Sequence, residues 1–130
     1  MDMALIDQTV ASLRAEHPAF DWVGVYVVEG DTLVLGPFRG VPTEHVRIPM
    51  GEGVCGAVAA SGITEVVPDV RDRPGHIACD VHTRSEVVAP ITRRGRVLAV
   101  LEVDSNTPDA FGPDEVAAIE QVAAEIASRA

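Results

Sequence analysis

Lysine is absent from this chain: all ten basic residues are arginine, which excludes a lysine Schiff base. Basic residues are scarce altogether, 10 against 20 acidic ones in 130 residues, for a formal net charge of -10. A surface of that sign repels phosphate backbones and anionic lipid heads, so neither nucleic acid nor a membrane surface is an expected partner. No apolar run approaches the roughly 18 to 20 residues that a bilayer span requires, and Met1-Asp2-Met3-Ala4 lacks the charged and apolar regions of a signal peptide. A cytoplasmic protein is expected. Cysteine occurs only at positions 55 and 79, and in a reducing compartment such a pair is more often catalytic or buried than a permanent staple. Repeats, linkers and low-complexity tracts are missing too. The length suits one domain, 1–130, with one core and one site.

What is present alternates in a readable way. Met3, Ile6, Val10 and Leu13 recur on one helical face, and Pro18 closes that segment. Trp22 to Val28 is β-branched and aromatic, Glu29-Gly30-Asp31 is a turn, and Thr32 to Leu35 resumes a strand, which predicts a hairpin. Pro37, Gly40 and Pro42 predict a loop before a short strand, Val46 to Ile48. Val54 to Ala60 predicts a brief helix ended by Ser61-Gly62, followed by a strand from Thr64 to Val67. Residues 68–84 carry no period, and a loop that long in so small a domain is where function is expected. Ser85 to Thr92 and Arg96 to Asp104 form a second hairpin around Arg93-Arg94-Gly95. Gly112, Pro113 and the acidic pair Asp114 and Glu115 then open a helix with Val116, Ile119, Val122 and Ile126 on one face. Tight turns between consecutive strands predict an antiparallel sheet, and helices at both ends make the class α+β.

Chemistry-bearing residues cluster in the second half. Cys79 lies in the long loop with His76 three residues before it and His82 three after. A neighbouring imidazolium would raise its thiolate fraction and Asp80 would oppose that, while a small packed thiol is the plainer alternative. Cys55 opens the short helix, whose positive dipole end also favours a thiolate. His76, Cys79, His82 and Cys55 would make four ligands, yet the spacing matches none of the common zinc patterns and no metal is expected. Glu86 begins one strand, and Glu102 and Asp104, two apart, share a face of the next. Such carboxylates either face solvent or line a pocket, where one could hold a proton for a departing oxygen while another grips an ammonium. Trp22 and Tyr26 share a strand face with Gly24 between them, and could wall a small-molecule pocket or be ordinary core. His17 and His45 are read as surface residues.

The stretches Trp22-Val23-Gly24-Val25-Tyr26, Leu33-Val34-Leu35-Gly36-Pro37-Phe38, Arg47-Ile48-Pro49, Gly51 to Gly56, Gly75-His76-Ile77-Ala78-Cys79-Asp80, Ser85-Glu86-Val87-Val88 and Val103-Asp104-Ser105 together resemble the free methionine-(R)-sulfoxide reductases, which are stand-alone GAF domains. The likeness runs in order from about residue 21 to 126. It implies a GAF-like six-stranded antiparallel sheet with the N- and C-terminal helices on one face and the ligand pocket on the other. Residue by residue, it implies that Cys79 is the attacking cysteine and Cys55 a second cysteine used in turnover. Trp22, Tyr26, Glu86, Glu102 and Asp104 would line the substrate pocket. The implied reaction reduces free L-methionine-(R)-sulfoxide to methionine through a Cys79 sulfenic acid and a disulfide re-reduced by thioredoxin or a similar dithiol, with no cofactor. Two departures stand out. Val41-Pro42-Thr43-Glu44-His45 carries no cysteine where the family usually has a third one, and Glu102 stands where the family usually has Asp, one methylene or about 1.5 Å longer. A non-enzymatic GAF sensor for a small ligand is the competing reading, a dimerisation module through the terminal helices is a third, and the sequence leaves a homodimer open.

Overall fold

The computed structural model describes residues 1–76 and 81–130. Helix α1, Met3–Glu16, starts where the Asp2 carboxylate accepts the Leu5 N–H at 3.1 Å. It buries Ile6, Val10 and Leu13, each contributing roughly 1.5–3 kcal/mol. Met3 was expected on that face but is exposed, one residue inside the helix start and beyond the edge of the core. The strands are β1 (Trp22–Glu29), β2 (Thr32–Arg39), β3 (Arg47–Pro49), β4 (Glu65–Val67), β5 (Ser85–Arg93) and β6 (Arg96–Ser105). They form one antiparallel sheet in the order β3-β2-β1-β6-β5-β4. Helix α2, Gly53–Ser61, lies between β3 and β4 in the chain, and α3, Pro113–Ser128, ends it. The expected α+β, GAF-like arrangement of six antiparallel strands with terminal helices is therefore the one adopted.

Strand β2 runs four residues past its expected end at Leu35. Gly24 pairs with Phe38 but Tyr26 with Leu35, so Gly36 and Pro37 together face Val25. This is a β-bulge, a setting that tolerates the missing N–H of Pro37. A second bulge between Ile91 and Thr92 offsets the β5–β6 register by one residue, so that Glu86 faces Asp104.

The pleat sorts the side chains onto two faces. Val23, Val25, Val87, Ala89, Ile91, Ala99, Leu101 and Val103 point one way and pack against α1 and against Ile119, Ala123 and Ile126 of α3. That core is built of apolar side chains. Trp22, Gly24, Tyr26, Glu86, Val88, Val100, Glu102 and Asp104 alternate with them and take the other face, where α2 brings Val54, Cys55 and Val58 against Tyr26, Leu33, Val88 and Val100. No helix among the described residues is long and apolar enough to cross a membrane.

Candidate functional site

The α2 face of the sheet buries charged side chains where the opposite face, among the described residues, buries none. In register, Trp22, Asp104 and Glu86 make one rung across β1, β6 and β5, and Gly24, Glu102 and Val88 make the next. The three carboxylates thus form a triangle at the sheet centre, each only about 1% exposed. Burying ionised carboxylates together is costly, so they must share protons or meet a cation. Glu86 is pushed up to about 7, first by burial and then by the charge of Glu102, and is held back by its contacts with His76 and Asp104. His76 places Nδ1 3.4 Å from Glu86 Oε1. Its pKa is raised, first by that contact and against the pull of burial. Carboxyl and imidazole therefore titrate as one unit that still holds a proton at neutral pH.

Helix α2 presents a thiol to the same cluster. The Cys55 S–H donates to Glu102 Oε1 at 2.7 Å, both groups being buried. Close approach of this helix start depends on Gly56: a Cβ there would lie 2.8 Å from the Pro49 carbonyl and 3.0 Å from the Gly51 nitrogen. Glu102 Oε2 has no hydrogen bond among the described residues. A buried carboxylate oxygen in that condition is an acceptor for a ligand's donor. Cys55, Glu86 and Glu102 also bring one ligand atom each within 4.8 Å of one another, a group able to hold a metal ion.

The aromatic residues back this cluster. The Trp22 ring lies across Gly24, where an added Cβ would meet Cη2 at 2.4 Å and Cζ3 at 2.6 Å, so a glycine is required there by contact. Phe38 stacks on Trp22 with centroids 5.6 Å apart, and Tyr26 lies 6.5 Å away on the same face. Trp22 Nε1 donates to the Val41 carbonyl at 2.9 Å and the Tyr26 hydroxyl to the His45 carbonyl at 2.7 Å. Both rings are fully buried and pin residues 41–45 over the sheet.

Of the residues singled out from sequence, Trp22, Tyr26, Cys55, Glu86, Glu102 and Asp104 come together on this one face. Cys79 lies outside the described residues. Among the described residues His76, His82 and Cys55 do not gather as metal ligands: His76 sits against Glu86 and His82 is exposed. Sequence reasoning missed the pairing of His76 with Glu86 and of Cys55 with Glu102. The bulge between Ile91 and Thr92 hides the alignment of Glu86 with the β6 carboxylates, and no local signal announces which carboxylate meets the helix thiol.

The model of the GAF domain family matches residues 4–129. The free methionine-R-sulfoxide reductase of Escherichia coli K12 is 37% identical over 124 residues, spanning 95% of this chain and 74% of that protein. Among solved structures, the type II free methionine-R-sulfoxide reductase from Thermoplasma acidophilum superimposes with a TM-score of 0.93 at 30% identity, over 97% of this chain and 89% of that one. The free methionine-R-sulfoxide reductase from Neisseria meningitidis, solved in complex with its substrate, does so at 0.90 with 39% identity, over 98% and 75%.

Proposed function

Since the chain belongs to the GAF family and, within it, to the free methionine-R-sulfoxide reductases, we propose that it reduces free L-methionine-(R)-sulfoxide to methionine on the α2 face of its sheet. The observation that carries this reading is the buried carboxylate triangle of Glu86, Glu102 and Asp104 beneath the Cys55 thiol. A free amino acid brings an α-ammonium that satisfies buried carboxylate oxygens, whereas a residue inside a peptide brings none. Preference for the free substrate follows from that charge match. Trp22 and Tyr26 supply the apolar backing against which a thioether-like side chain and its methyl would rest.

The chemistry divides among the residues as follows. The Cys79 thiolate attacks the sulfoxide sulfur while the Glu86–His76 pair delivers a proton to the oxygen; methionine leaves and Cys79 carries that oxygen as a sulfenic acid. The Cys55 thiol then condenses with the sulfenic acid, losing water and forming a disulfide. Glu102, already accepting the Cys55 proton in a hydrogen bond, takes it as the sulfur becomes nucleophilic. A dithiol of the thioredoxin class returns both cysteines to thiols, in a reducing cytoplasm.

The test follows NADPH consumption in the presence of thioredoxin and thioredoxin reductase. Substrates are the free R sulfoxide, its S epimer and the N-acetylated R form, each with the wild type and the Cys79→Ser and Cys55→Ser variants. Turnover confined to the free R form and abolished in Cys79→Ser is the expected result. No turnover even with dithiothreitol, while the sulfoxide or another small ligand still binds, would replace the reductase with a GAF-type binding domain.

A further inference from the structure

We propose that Cys55, Glu86 and Glu102 also form a binding site for one divalent cation of the zinc and cadmium class, and that the cation excludes the amino-acid substrate. The competition rests on the reading above; the metal site itself does not. One Sγ and two carboxylate oxygens lie within 4.8 Å of each other, all on buried side chains. Zinc with sulfur and oxygen ligands at about 2.0–2.3 Å in tetrahedral geometry needs ligand atoms roughly 3.3–3.7 Å apart. The Cys55–Glu102 contact, now 2.7 Å across a shared proton, would open by about 1 Å as the proton leaves, and the wider separations would close by a similar amount.

A second observation points to a cation independently of that spacing. Glu102 Oε2 is buried without a hydrogen bond among the described residues, on a side chain about 1% exposed. Such an oxygen, with a second buried carboxylate in the same cluster, asks for positive charge. A thiolate among the ligands selects a borderline-soft ion over magnesium or calcium, which want six or more oxygens. His76 against Glu86 is placed as an outer partner that fixes the carboxylate's orientation. The same carboxylate oxygens are those the substrate ammonium would use, so ion and amino acid compete.

The experiment uses fully reduced protein in the Cys79→Ser background, which leaves Cys55 as its single cysteine. Cadmium is titrated while thiolate-to-metal absorption is followed in the ultraviolet, and zinc affinity is measured against a chromophoric chelator. One ion per chain with a thiolate band is expected. Affinity should fall tenfold or more in Glu102→Gln and in Glu86→Gln, and the thiolate band should vanish on adding Cys55→Ser, with far-ultraviolet circular dichroism showing each variant folded. Zinc binding unchanged by both glutamine variants, or magnesium binding as tightly, would overturn the site. Added free methionine sulfoxide should weaken apparent zinc affinity; a stoichiometric site indifferent to the sulfoxide would overturn the exclusion. Because the reductase assay is run separately in excess chelator, failure of the metal site leaves that assay's outcome untouched, and the reverse also holds.

Discussion

Glutamine in place of Glu86 should change the pH dependence of stability more than stability itself. The Glu86 carboxyl moves from 4.5 when unfolded to about 7 when folded, chiefly through burial and then through the Glu102 charge. His76 is likewise raised above 6.5, chiefly by its contact with Glu86. Both groups hold a proton more tightly in the folded state, so the folded protein binds more protons than the unfolded chain across this range and stability falls as pH rises. For Glu86 the contribution is intact below 4.5 and is lost as pH climbs through 7. At about 1.4 kcal/mol per pH unit, the displacement corresponds to about 3 kcal/mol, most of it expressed between about pH 5 and pH 8. An amide at this position cannot ionise, and it also removes the group that raises His76. Urea unfolding of wild type and Glu86→Gln at pH 5 and pH 8 reads the effect, because titrating carboxylates outside the cluster cancel in the comparison. The variant should gain on the wild type by about 2–3 kcal/mol between the two pH values, with an unchanged denaturant slope. A difference between the two proteins that is the same at both pH values would refute the reasoning: Glu86 would then ionise as if in water.

Gly24→Ala should destabilise the protein by about 1–3 kcal/mol in a urea or thermal melt, because the new methyl collides with the Trp22 ring and not because the backbone is strained. Trp22→Phe should relieve part of that cost when the two substitutions are combined, and strict additivity would place the clash elsewhere. Ile119→Ala, at a fully buried α3 position in the core behind the sheet, should cost about 2–5 kcal/mol in the same melts. It should leave the Michaelis constant for the sulfoxide unaltered under conditions where the variant is folded, and a raised constant would mean that the two sheet faces are coupled.

How much could be read ahead of the structure depended on whether the signal was local. Helix α3 was legible because Gly112 and Pro113 begin it and Glu115 accepts the Gly112 N–H at 2.8 Å, all within four residues. The end of β2 was not, since Pro37 and Gly40 read as breakers and only the opposing strand reveals that Gly36 and Pro37 form a bulge facing Val25. The same limit governs the site. Counting outward from the Arg93–Arg96 pair at the second hairpin's turn would set Glu86 opposite Val103, on the apolar face. The bulge between Ile91 and Thr92 moves it opposite Asp104. That single-residue offset assembles the carboxylate triangle, and a composition pattern contains no trace of it. The thiol contact to Glu102 is less accessible still, because it joins positions 47 residues apart through the packing of α2 on the sheet.

That contact unites the two places where the chain departs from the family it resembles. In the proposed reaction, a chain with no cysteine between Val41 and His45 has Cys55 as its one internal partner for an oxidised Cys79. The longer carboxylate at position 102 is the group whose oxygen reaches the Cys55 sulfur at 2.7 Å. Glu102→Asp draws the carboxylate back by about 1.5 Å, one C–C bond, to a separation at which no thiol hydrogen bond forms. A hydrogen bond to a charged acceptor contributes about 1.5–3 kcal/mol, so disulfide formation after a single turnover should slow by roughly tenfold or more. Rapid quenching with a thiol-trapping reagent measures that step directly. The preceding release of methionine should keep a larger share of its rate, and excess dithiothreitol, which intercepts the sulfenic acid itself, should restore steady turnover. Equal slowing of methionine release and disulfide formation would refute the coupling and leave Glu102 as a substrate contact alone.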